Sequence, residues 1–70
     1  MTNKQILNFI INEKSQGNTF QELNTKMKIM IKGINVKGIM EDGIPDDPAL
    51  NLRLIAIGKE FEINMACFGN

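Results

Sequence analysis

The chain has 70 residues, 43% of them hydrophobic, with eight basic and eight acidic side chains, no histidine and zero formal net charge. That length allows one small domain, residues 1–70, which buries only about 60% of its unfolded surface and so has a marginal core. The balanced charge argues against a polyanion binder driven by bulk attraction. The single cysteine, Cys67, cannot form an internal disulfide, and without histidine it cannot build a structural zinc site.

Thr2 and Gln5 have the spacing of a capping box, in which a hydroxyl and an amide each satisfy a backbone donor that a helix start leaves free. Ile6, Leu7, Phe9, Ile10 and Ile11 then recur at helical spacing, and Gly17 follows as a left-handed terminator. A core helix over about residues 3–15 is expected. A second capping box pairs Thr19 with Glu22, and Phe20, Leu23 and Met27 fall on one helical face. The two helices are joined by a tight polar turn and must lie close together.

Beyond Met27 the pattern changes to period two. Met27, Ile29 and Ile31 alternate with Lys26, Lys28 and Lys32, and Ile34 and Val36 with Asn35 and Lys37. Gly33 and Gly38 disfavour a helix there and suit a turn or bulge. "EDGIPDDPAL", residues 41–50, reads as a loop, with a helical turn allowed at Pro48 behind an Asp47 cap. The last segment reads as an antiparallel β-hairpin: Leu50, Leu52, Leu54 and Ala56 on one strand, Phe61, Ile63, Met65 and Cys67 on the other, and "GKE" as the pivot. Ile55 and Ile57 make its second face apolar, which marks them as candidates for a protein interface.

The expected class is therefore α+β: two N-terminal helices followed by a hairpin. The alternative is one or two helices packed on a three- to four-stranded antiparallel sheet, with residues 26–40 as strands. In chain order, "ILNFIINEKSQGNTFQELNTKM" resembles the first two helices of winged helix-turn-helix proteins. "RLIAIGKEFEINM" is similar to the wing of the HARE-type domain at the N-terminus of the bacterial RNA polymerase delta subunit, at Arg53, Leu54, Ile55, Ala56, Ile57, Gly58 and Phe61. The departures are phenylalanine where that family often shows tryptophan, and the glycines and prolines where its third helix belongs. The resemblance implies a winged helix acting in transcription, through contact with the transcription machinery more than through sequence reading.

Lys26, Lys28, Lys32 and Lys37 lie in twelve residues without an acid, while Glu41, Asp42, Asp46 and Asp47 lie in seven without a base. With Arg53, those lysines are the candidate contact set for nucleic acid or for an acidic protein patch. No catalytic constellation is present: there is neither histidine nor tyrosine, and adjacent acids such as Asp46 and Asp47 point apart in an extended segment. No enzyme activity, metal or cofactor is expected. The functional expectation is a small regulatory or accessory binding protein with a basic contact surface, DNA-binding or transcription-related. The alternative is a protein-protein interaction module or inhibitor acting through the apolar hairpin face. The five methionines suit an adaptable contact surface, or simply fill a small core. A lone thiol fits a cytoplasmic setting. No membrane segment or leader is expected, and zero charge on a marginal core makes a homodimer a fair expectation.

Overall fold

The computed structural model describes residues 2–68, except for the side chain of Cys67, and all the regular structure in that span is helical: α1 (Asn3–Ser15), α2 (Thr19–Ile31), a short helix at residues 36–42 and α3 (Pro48–Glu60), closed by a 3-10 turn at Ala66–Phe68. The short helix finishes as a π-helical turn, Gly38–Asp42. α1 is the central element and packs against α2, α3 and the π-turn. Ile6, Leu7, Ile10 and Ile11 supply its inner face, and Ile29, Ile34, Val36, Ile39, Leu54, Ile55, Ile57 and Met65 complete the core. Phe68 closes over the outside, its ring edge-on to Phe9 with centroids 5.1 Å apart.

α1 forms as its sequence requires. The Thr2 hydroxyl accepts from the Gln5 backbone, and the Gln5 side chain accepts from the Thr2 backbone, which completes the capping box. The chain leaves the helix through two successive left-handed residues, Gln16 (φ 50°) and Gly17 (φ 82°). The cap of α2 sits one residue earlier than Thr19. Asn18 accepts from the backbone of Phe20 and Gln21, and Thr19 lies inside the helix.

The α+β expectation is overturned, and with it the alternative of helices on a sheet: the described residues contain no strand. A winged helix needs a β-wing, so the resemblance to the HARE-type domain fails at the segment that carried it. Residues 52–58 are the middle of α3, not a strand of a hairpin, and Gly58 is a buried helix position, not a pivot. Two local features produced the misreading. One inward position of α3 is polar, Asn51, while an outward one is apolar, Leu52, so the helical period is blurred. What remains, Leu50, Leu52, Leu54 and Ala56, alternates as a strand does. The decisive local signal is the N-terminus: Asp47 accepts from the Ala49 backbone and Pro48 takes the first helical position, where its missing N–H costs nothing.

The same inversion operates in α2. Thr25 is buried, its hydroxyl donating to the Gln21 carbonyl at 2.8 Å, while Met27, Met30 and Ile31 are exposed. Buried polar and exposed apolar residues together mimic period two over residues 26–32, yet α2 runs on to Ile31. The chain then turns at Gly33, whose φ of 91° suits glycine.

Candidate protein-contact face

The structure separates the residues of the expected basic contact set. Lys32 and Arg53 meet at the corner between α2 and α3. Arg53 Nη2 donates to the Lys32 carbonyl at 3.1 Å, satisfying an acceptor that the end of α2 leaves free. Lys32 Nζ lies 2.8 Å from Glu60. Both residues therefore hold one helix to the other. Lys26 is bridged to Glu22 one turn earlier on α2, at 3.3 Å. Among the described residues, Lys28 and Lys37 form no ion pair, and both are exposed. Ile55 and Ile57, expected on an outer face of a hairpin, are only 7% and 6% exposed and belong to the core, so they present no surface to a partner.

The acids are distributed in a similar way. Asp46 accepts from the Asn3 backbone at 2.6 Å, and Asp47 caps α3. Among the described residues no group of three histidine, cysteine or acidic side chains is placed to hold a metal ion. No helix among the described residues is long and apolar enough to cross a membrane.

What the fold leaves uncovered is the outer face of α2. Phe20, Leu23, Met27 and Met30 repeat at three- and four-residue spacing, the first and fourth positions of a heptad, and they form one stripe along the helix. Thr25 and Ile29 occupy the opposite face and are buried, so the stripe points to solvent. Phe20 is 69% exposed, and Ile31, at the edge of the stripe, is 84% exposed. Single exposed apolar residues are ordinary, but a contiguous row is the usual mark of an interaction surface.

The stripe borders a groove of about 390 Å3 between α2 and the short helix, lined by Leu23, Lys26, Met30, Val36, Lys37 and Met40, with Glu41 at its end. A shallower depression at Thr19, Phe20, Glu22, Leu23 and Lys26 continues it toward the start of α2. The π-turn places Met40 on the groove wall. It is fixed by the Asn35 side chain, which accepts from the Gly38 backbone at 3.0 Å, and by Gly43 (φ 63°), which ends it. Lys26 and Lys37 are brought together on this rim, while Lys28 lies beyond the other edge of the stripe.

The sequence pattern places Phe20, Leu23 and Met27 on one helical face, and the structure extends that face to Met30 and Ile31 because α2 continues as a helix to Ile31. The heptad spacing from Phe20 to Met30 was the available signal. The methionines divide between the two roles open to them: Met65 is buried in the core, Met27 and Met30 are exposed, and Met40 is half-buried on the groove wall. Comparison with known protein families, with curated proteins and with solved structures finds no match.

Proposed function

We propose that this chain is a non-catalytic binding domain that engages a protein through the outer face of α2 and the adjoining groove. The observation that carries the reading is the exposed row Phe20, Leu23, Met27 and Met30 on a helix whose other face already completes the core. An apolar stripe of this kind suits helix-in-groove recognition, with anchors one helical turn apart. The two methionines on it can repack around partners of different shape.

Nucleic-acid contact is the second reading, favoured by Lys28 and Lys37, exposed and without an ion pair among the described residues, in a segment without acids. It is weaker because Lys26, Lys32 and Arg53 are already engaged within the domain, and because apolar side chains occupy most of the face between the lysines. A photo-crosslinking residue at Leu23, compared with one at Glu13 on α1, tests the first reading in cells. Protein adducts from the Leu23 site alone are expected. Equal labelling from both sites would remove α2 as the contact face. Titration of a labelled random DNA duplex at low salt tests the second: binding that is lost in Lys28→Glu/Lys37→Glu would move the function to nucleic acid.

A further inference from the structure

We infer that the occupant of the α2 face is a second copy of this chain, with the two α2 helices packed side by side in parallel about a two-fold axis. The inference rests on the protein-contact reading of α2 and names the partner. Three observations carry it.

The first is that the face holds both a knob and the hole that fits it. In heptad terms Phe20 and Met27 are a positions, Leu23 and Met30 are d positions, Lys26 is g and Ile31 is the following e. In a parallel pair the g edge of one helix faces the e edge of the other. Ile31, which protrudes on the e edge, is thereby brought to the partner's g edge. That edge carries the groove lined by Leu23, Lys26, Met30, Val36 and Met40. The two-fold axis repeats the contact in the opposite sense, as an isologous interface requires.

The second is charge. Lys26 is neutralised within its own helix by Glu22, so its aliphatic stem is free to cover the partner's Ile31. The parallel register places no like charges opposite one another on the g and e edges, whereas an antiparallel pairing would set e edge against e edge and carry Ile31 away from the groove. The chain's zero net charge adds no long-range repulsion between copies.

The third is area. A specific interface needs roughly 600 Å2 from each partner, about one-eighth of this chain's 4515 Å2 surface. The seam from Phe20 to Ile31 is only about 17 Å long at the helical rise per residue. Met40, half-buried on the groove wall, widens the patch on one side of the seam, so a weak dimer is expected.

Sedimentation equilibrium of the whole chain from about 10 μM to 1 mM, a span covering weak-dimer affinities, is the test. The expected result is a mass rising from 7.9 kDa toward twice that value. Ile31→Asp should weaken association at least tenfold while leaving the helical circular dichroism unchanged. Leu52→Asp, at a position also largely exposed but on α3, should leave association unchanged. Orientation is read by Phe20→Cys in a Cys67→Ser background. Parallel helices bring the two thiols together and give a disulfide-linked dimer under mild oxidation, whereas antiparallel helices hold them about 15 Å apart along the axis. A monomer at every concentration, association insensitive to Ile31→Asp, or failure of the Phe20→Cys crosslink would overturn the inference. A monomer whose Leu23 photo-crosslinker still captures another protein would overturn the dimer and leave the contact face standing. A monomer with no adduct would end both.

Discussion

Asn3 and Asp47, 44 residues apart, hold each other through a reciprocal pair of hydrogen bonds: Asn3 Nδ2 donates to the Asp47 carbonyl at 3.0 Å, and the Asp47 backbone N–H donates to Asn3 Oδ1 at 2.9 Å. Asn3 also donates to the Asn51 side chain, and its backbone N–H to Asp46. One buried amide therefore ties the first turn of α1 to the first turn of α3. Asn3→Ala strips three groups of their partner, one buried and two part-buried, and a fully buried unsatisfied group costs about 1–3 kcal/mol. Allowing for relaxation and water entry, we expect a loss of about 3 kcal/mol, read as a lower urea midpoint. Asn51→Ala should be partly redundant with it, so the double variant should lose less than the sum of the singles. Strict additivity would show that the two amides do not act together.

Leu52 and Ile55 distinguish the helix from the hairpin. A strand would place them on opposite faces, with Ile55 outward. In α3, Leu52 is 71% exposed and Ile55 is buried. Leu52→Asp should therefore shift stability by no more than about 0.5 kcal/mol, whereas Ile55→Asp, and likewise Ile57→Asp, should unfold the domain by burying an unpaired charge. Thermal melts followed by circular dichroism decide this. A folded Ile55→Asp would contradict the core placement.

Gly58 stands in the last turn of α3 for a packing reason. A Cβ added there would stand 2.8 Å from Met65 Cγ, and Met65 is fully buried. Gly58→Ala gains about 1 kcal/mol of helix propensity but overpacks a filled site at a cost of about 1–3 kcal/mol, so net destabilisation is expected. In a Met65→Ala background the obstruction is gone, and the same substitution should stabilise by about 1 kcal/mol. Urea titrations of the unsubstituted chain and the three variants measure the change of sign. An unchanged sign would mean that Gly58 and Met65 are not coupled.

The outer face of α2 should be nearly silent in folding. Leu23 and Met30 are 57% and 47% exposed and neither belongs to the buried core, so Leu23→Glu and Met30→Glu should each change stability by no more than about 1 kcal/mol. Any larger loss that appears only at high protein concentration would report on association, because binding to the native state stabilises it by mass action. Comparing melts at two concentrations separates the two effects.

The sequence made α1 legible because its capping box, its five-residue apolar face and its terminator all agree. It made α2 and α3 only half legible. In both helices a polar residue occupies a buried position, Thr25 or Asn51, and apolar residues lie outside. Thr25 is satisfied within its own turn, and Asn51 by a residue 48 positions away. The second of these cannot be read from a local window. The proposed contact face is visible in the sequence as a heptad fragment, but its exposure depends on which side of α2 the core takes.

The two sides of α2 consequently answer to different pressures. Thr25 and Ile29 are constrained by folding, while Phe20, Leu23, Met27 and Met30 are constrained only by whatever they touch. The solvent-facing part of the outer row can be rewritten with little disturbance to the core, so the domain serves as a carrier on which a new recognition surface could be drafted, by selection or by design, at modest cost to its own assembly.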